Sequence, residues 1–170
     1  MMSQKYTSQP IALTPAIRKT DFKRADLIFH DVDHSGPSYQ GRVFFNNPEA
    51  DESTPRTLEK GFAGEFTIFA HGRCWGDQGH CMVPEQRREF DQRSPHPLTP
   101  RPVAVNVTAA LRKAARETDK ISVTVVPVVK SYLDEEEAKD CFHFNKLSLR
   151  IRSSHGLLED PYLKITTTAL

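Results

Sequence analysis

The feature that most constrains this chain is the alternation of apolar and polar side chains with a period of two. It is clearest in residues 62–70, where Phe62, Phe66 and Ile68 fall on the same face. Successive side chains of a strand point to opposite faces, so this period predicts half-buried β-strands rather than helices. Similar patterns predict seven strands, at residues 25–32, 39–46, 62–70, 103–107, 121–129, 142–152 and 162–167.

The segments between these strands complete the predicted architecture. Thr108 is a suitable N-cap for a short helix over residues 109–116. With 12 prolines and 8 glycines the turns are numerous and long, which suits a sandwich better than a meander of tight hairpins. We therefore expect an all-β fold: an antiparallel β-sandwich of about seven strands with one short helix and a long Gly/Pro-rich loop. Its expected core includes Phe66, Ile68, Val123, Val125, Leu147 and Leu149.

Three further expectations concern single strands. Residues 62–70 alternate most clearly and are expected to form the most central strand. Pro127 has no backbone N–H group to donate, which predicts an edge or a bulge in its strand. The apolar parity switches between Phe144 and Leu147, which predicts a β-bulge near Asn145.

The length of 170 residues indicates one domain. Residues 1–24 are polar, aperiodic and interrupted by two prolines, which predicts a flexible N-terminal arm before a sandwich domain at residues 25–168. That arm lacks the apolar stretch of a signal peptide, and three cysteines are too few for a disulfide scaffold. We therefore expect a cytoplasmic location, with export bound to a partner as the alternative.

The charge balance argues against two classes of partner. The 23 basic and 22 acidic residues leave a formal net charge of +1. Such a balance gives no general attraction to nucleic acid or to an anionic membrane surface. No apolar run approaches the length of about 18 residues that a membrane span requires. We expect neither nucleic acid nor membrane as a partner.

A glycine-rich segment holds the densest group of chemically reactive side chains. Residues 71–81 contain two thiols and two imidazoles, from His71, Cys74, His80 and Cys81. Such ligands suit Cu(I) or Zn(II), but the spacing matches no structural zinc pattern. The alternative is a structural turn, in which the two cysteines are buried thiols or a disulfide. Both interpretations stay open at this point.

The order of several segments carries a resemblance to a known family. Residues 62–72 read FAGEFTIFAHG and precede Cys74 and the pair Phe90-Asp91, while residues 33–39 read DHSGPSY. Residues 79–81 read GHC and residues 95–100 read PHPLTP. Over residues 25–152 the chain resembles the C-terminal β-sandwich of tyrosinase-family and haemocyanin-like (type-3 copper) proteins, most specifically the bacterial form.

This resemblance implies an accessory function. In the family, a separate helical domain holds two copper ions on six histidines, and this chain has no helical segments for two such triads. The resemblance therefore implies a non-catalytic sandwich that covers the dicopper site of a tyrosinase-like catalytic subunit or domain, or assists its copper loading. By position, a side chain that plugs the pocket would be Phe69 or Ala70. On its own, such a chain is not expected to be an enzyme.

Two other functions remain open. One is a free-standing Cu(I)- or Zn(II)-binding protein that uses His71, Cys74, His80 and Cys81. The other is a small-molecule enzyme with its site in the loop of residues 71–100, because an aperiodic loop of that length is often functional. Against the enzyme, no nucleophile–base pair or acid–base pair stands at an informative spacing.

Overall fold

The computed structural model describes residues 4–19, 22–34, 36–69, 89, 100–129, 139–153, 156–157 and 163–165. Its strands are β1 (Tyr6–Thr7), β2 (Ile11–Ala12), β3 (Phe22–Val32), β4 (Tyr39–Phe45), β5 (Phe62–Ile68), β6 (Arg101–Asn106), β7 (Lys120–Ile121), β8 (Val123–Val129), β9 (Lys146–Ser153), β10 (Gly156–Leu157) and β11 (Leu163–Ile165). The helices are α1 (Pro15–Lys19), α2 (Thr108–Glu117) and a 3₁₀ turn (Leu58–Lys60). No described helix is long and apolar enough to cross a membrane.

Two antiparallel sheets contain most of the described strands. The first sheet has the order β1-β8-β4-β5, and the second has the order β10-β9-β3-β6 with β11 also paired to β9. Strands β2 and β7 form a separate short ladder. The chain is therefore an all-β sandwich with one substantial helix, as the periodicity predicts.

The core lies between the inward faces of the two sheets. Leu27 and Phe29 of β3 stand opposite Leu149 and Leu147 of β9, and all four are at most 1% exposed. The predicted core residues are buried as expected, at 7% exposure for Phe66 and Ile68, 0% for Val123, Val125 and Leu147, and 1% for Leu149. The prediction of the core is thus confirmed for all six.

Aromatic rings join the two sheets at one end of this core. The ring centroid of Phe29, on the second sheet, lies 5.5 Å from that of Phe66 on the first. Phe142 and Phe144 lie 5.4 and 5.3 Å from Phe29 in edge-to-face contacts. Such pairs contribute about 0.5–1.5 kcal/mol each beyond the area they bury. The segment just before β9 therefore closes this end of the sandwich.

The ring of Phe66 also explains a glycine in the neighbouring strand. Gly41 of β4 stands directly opposite Phe66 of β5. A Cβ atom at Gly41 would lie 2.2 Å from Cζ of Phe66. The ring therefore occupies the space above the glycine backbone, and any side chain at position 41 would displace it.

Two expectations about single strands are wrong, and one is consistent with the structure. Within the described residues, β5 pairs with β4 alone, so it is an edge strand and not the most central one; alternation reports one buried face, which an edge strand shares. No bulge is found near Asn145 in the described residues: β9 begins at Lys146, and its register with β3 shifts only between Phe22 and Arg24. Pro127 pairs with Gly41 of β4 on one side of β8. On the other side, among the described residues, β1 pairs only with Thr124 and Val125, so Pro127 lies at an open edge, which is consistent with its missing N–H group.

The N-terminal residues pack against the sandwich, unlike the flexible arm that the sequence predicts. Between residues 4 and 19 the chain adds β1 to β8 and β2 to β7, and α1 lies beside α2. Ile11, Leu13 and Ile17 are each 5% exposed. Isolated apolar residues close to prolines give no period, so the pattern could not reveal that these three enter the core.

Candidate functional site

One end of the sandwich, which we name the Phe69 end, carries the described part of the candidate site. It is formed where β3 finishes at Val32, β5 finishes at Ile68 and β4 begins at Tyr39. β6 also begins there, at Arg101, so the sequence between Phe69 and β6 leaves from this end and returns to it. The predicted ligands His71, Cys74, His80 and Cys81 belong to that sequence and lie outside the described residues, as does Ala70.

Phe69 is the most exposed large apolar side chain that the structure describes, at 84%. It follows directly on the last residue of β5, so its backbone is anchored by the ladder with β4. Phe66, three residues earlier, is only 7% exposed. The structure thus places a phenylalanine ring in solvent at the end of a well-held strand, at one of the two positions predicted for the pocket plug. Its insertion into a pocket stays a prediction.

Tyr39, at the start of β4, has an unusual environment at this end of the sandwich. It pairs with Ile68 across the ladder, is 3% exposed, and its ring contacts Phe66 and Phe142 at 6.2 Å between centroids. Its hydroxyl oxygen is buried and has no hydrogen-bond partner among the described residues. Burial raises the pKa of this phenol well above its ordinary value, and the nearby Cys141 and Asp33 raise it further. The hydroxyl is therefore neutral over the physiological range.

The sequence did not single out Tyr39, because alternation treats tyrosine as one more apolar residue of a strand. The sequence does contain one signal, a tyrosine at a position predicted to be buried. A buried tyrosine hydroxyl usually needs a hydrogen-bond partner, so such a position calls for attention. Two of the groups that surround it, Cys141 and Phe142, come from positions about one hundred residues away, and no local pattern identifies them.

The described histidines do not come together into a ligand set. Nε2 of His30 lies 2.7 Å from Oγ of Ser148 on the neighbouring strand. Nε2 of His143 lies 3.1 Å from the carbonyl oxygen of Asp140, and its side chain is about half exposed. Among the described residues, no group of three or more His, Cys, Asp or Glu side chains is arranged to hold a metal ion. These side chains therefore do not fit a type-3 copper centre, and no step of chemistry is assigned to them.

Comparisons with known proteins found matches among solved structures only. No protein-family model and no curated protein matches the chain. Among solved structures, latent aurone synthase (polyphenol oxidase) from a natural source matches with a TM-score of 0.51 and 16% identity, over 88% of this chain and 25% of that one. The recombinantly expressed latent enzyme matches with a TM-score of 0.50 and 16% identity, over 89% and 24%.

These matches concern the fold, since the identity is low. The chain spans about a quarter of the length of the polyphenol oxidases that it matches. Nearly the whole chain is covered, so the likeness extends over the sandwich as a unit. The chain thus has the fold of a domain-sized part of a polyphenol oxidase, consistent with the C-terminal β-sandwich that the sequence resembles.

Proposed function

We propose that this chain is a non-catalytic accessory sandwich of a tyrosinase-like type-3 copper protein, and that it covers the dicopper site of a catalytic subunit or domain. One observation carries the proposal: the match covers 88% of this chain but only 25% of the polyphenol oxidase. The remaining three quarters of that enzyme have no counterpart in the match. A chain that corresponds to a minor part of an enzyme is better suited to act on the catalytic part than to replace it.

The matched polyphenol oxidase is a latent form. A sandwich that lies over the entrance of an active site would keep the enzyme latent by excluding phenolic substrates. In this chain the Phe69 end would make that contact, because its exposed ring projects from an anchored strand. Burying a phenylalanine ring fully contributes about 1.5–3 kcal/mol, so one inserted side chain gives a reversible cover.

The contribution of this chain's own residues would be positioning and exclusion of water. The ladder between β4 and β5 fixes the backbone that leads into Phe69. In the core at this end, the rings of Tyr39, Phe66 and Phe142 pack on one another and support the last residues of β5. The dicopper centre would be held by the catalytic partner, because in the family that the chain resembles a separate helical domain holds the two copper ions.

The test is inhibition of catechol oxidation by a type-3 copper catalytic domain that lacks its own sandwich. Added wild-type chain is expected to lower the rate of o-quinone formation, and Phe69→Ala to inhibit at least tenfold more weakly, about 1.4 kcal/mol. Leu58→Ala is the matched control, because Leu58 is an exposed apolar residue (39%) at the opposite end of the sandwich. Catechol oxidation by the purified, copper-supplemented chain alone would refute the accessory function.

Copper loading is a separate and narrower proposal, and it depends on His71, Cys74, His80 and Cys81. It is tested by competition for Cu(I) with a chromogenic chelator. Retention of one Cu(I) by the reduced wild-type chain, lost in both Cys74→Ser and Cys81→Ser, would support delivery of copper to the partner. No retention would leave the two cysteines with a structural function, and the proposed covering of the active site would be unaffected.

A further inference from the structure

A cleft of 620 Å³ lies at the end of the sandwich opposite to Phe69, between the N-terminal residues and helix α2. Its lining residues are Leu13, Pro15, Arg18, Ala115, Arg116 and Asp119. This volume is within the range of about 300–1,000 Å³ that is typical of ligand sites. Leu13 and Ala115 are buried and form an apolar floor, while both arginines are exposed. The cleft therefore combines an apolar base with a cationic rim.

The two arginines of the rim have donor groups to spare. Nε of Arg18 donates to the carbonyl oxygen of Ala115 at 3.3 Å, which holds this guanidinium across the cleft. A guanidinium has five N–H donors, so this bond leaves four. Among the described residues, no carboxylate lies within ion-pair distance of Arg18 or Arg116. Because both arginines line the same cleft, a carboxylate bound there would be attracted by each of them.

Positive charge outweighs negative charge among the described lining residues of the cleft. Arg18 and Arg116 are its two cations, and Asp119 is its one carboxylate. Glu117, the neighbour of Arg116 on α2, is paired with Lys113 at 3.1 Å. The described lining therefore favours an anionic occupant.

We propose that this cleft docks an acidic segment of a partner protein, with partner carboxylates between Arg18 and Arg116. Arginine presents a planar fork that matches a carboxylate in a bidentate contact. The apolar floor would accept the aliphatic part of a peptide, and this favours a protein segment over a free inorganic anion. The proposal does not rest on the proposed function, because the cleft and Phe69 lie at opposite ends of the sandwich.

The experiment is fluorescence anisotropy with a fluorescein-labelled hexaglutamate peptide and the full chain. Arg18→Glu and Arg116→Glu are each expected to weaken binding about tenfold or more, because each leaves a carboxylate facing the peptide. Arg101→Glu is the matched control: it changes the net charge equally, at an exposed residue of the Phe69 end, and is expected to stay within about twofold. Asp119→Asn is expected to strengthen binding, because it removes a repulsive carboxylate from the lining.

Each alternative result overturns the proposal. If Arg101→Glu weakened peptide binding as much as the cleft variants do, the peptide would be attracted only to the net charge of the protein. If binding of the peptide did not saturate at low ionic strength, no acidic segment would dock in the cleft. Stronger competition by inorganic phosphate or by a single-stranded oligonucleotide than by unlabelled hexaglutamate would assign the cleft to a different anion. Thermal unfolding checks that the variants are folded. If Arg18→Glu unfolds through loss of its bond to Ala115, Arg116→Glu and Asp119→Asn still decide.

Discussion

Phe66 and Phe69 stand three residues apart and have opposite environments. The ring of Phe66 is 7% exposed and packs on Gly41 and Phe29, whereas the ring of Phe69 is 84% exposed just beyond the end of the same strand. One phenylalanine therefore contributes to the stability of the sandwich, and the other is available for contact with a partner. The comparison separates what holds the fold together from what the fold presents to other molecules, and each prediction below tests that separation.

Phe66→Ala is expected to have the largest effect. It removes a ring that contacts both sheets and leaves a cavity between them, and such truncations cost about 3–5 kcal/mol of the free energy of unfolding. Urea denaturation monitored by far-UV circular dichroism measures the change. A loss below about 1 kcal/mol would show that Phe66 is not a core residue, and the contrast with Phe69 would fail.

Gly41→Val tests the same ring from the opposite strand. A Cβ atom at position 41 would overlap the Phe66 ring, with its nearest atoms at 2.2, 2.5 and 2.7 Å. Forcing the ring away is expected to cost about 1–3 kcal/mol, as for other overpacked sites. The matched variant combines Gly41→Val with Phe66→Leu, which shortens the side chain. Recovery of part of the lost stability in the double variant identifies the clash, and strict additivity of the two losses would contradict it.

Tyr39→Phe is expected to stabilise the protein by about 1 kcal/mol at neutral pH. The wild-type hydroxyl is buried and finds no hydrogen-bond partner in the part of the chain that the structure describes. Removing such a group eliminates its desolvation cost while keeping the ring. Equilibrium urea unfolding at pH 7 measures the difference. A destabilisation of similar size would show that the hydroxyl has a partner in solution.

The same substitution has a pH dependence whose sign follows from the raised pKa of Tyr39. In the unfolded chain the phenol ionises near its ordinary pKa of 10.0, while in the folded protein it stays protonated to higher pH. The unfolded state therefore binds fewer protons above pH 10, and stability falls as pH rises there, by at most about 1.4 kcal/mol per pH unit. Below about pH 10 this contribution is fully present. Tyr39→Phe should remove this fall, and parallel curves for both proteins from pH 9 to pH 11 would contradict it.

Local sequence patterns predicted much of the fold and little of the candidate site. Residues such as Leu147 and Leu149 alternate with polar neighbours because one face of β9 is buried, so their place in the core follows from the period alone. The position of a strand within its sheet has no such local signature, which is why the pattern predicts β5 at the centre although it lies at an edge. The pattern also does not identify Leu13 and Ile17 as core residues, because they are buried by tertiary contacts and lie in segments too short to show a period.

The candidate site depended on other information. Only the family resemblance points to Phe69 as a plug residue. Its exposure follows from the end of β5 at Ile68, two residues before the end that the period predicts. The cleft at α2 could not be predicted, because Arg18 and Arg116 are almost one hundred residues apart and meet only when α1 packs beside α2. Residues brought together by tertiary packing leave no spacing in the sequence to detect.

Phe69→Ala is expected to have the smallest effect on stability and so sharpens the comparison most. An exposed ring exchanges little surface with water on folding, and a substitution at such a position usually changes the free energy of unfolding by less than about 0.5 kcal/mol. The same variant should lose most of its inhibition of the catalytic partner, so that stability and inhibition respond to different phenylalanines. Measuring urea midpoints and inhibition on the same preparations makes the test direct. A loss of stability comparable to that of Phe66→Ala would mean that Phe69 packs within this chain in solution, and the ring would then be unavailable to cover any active site.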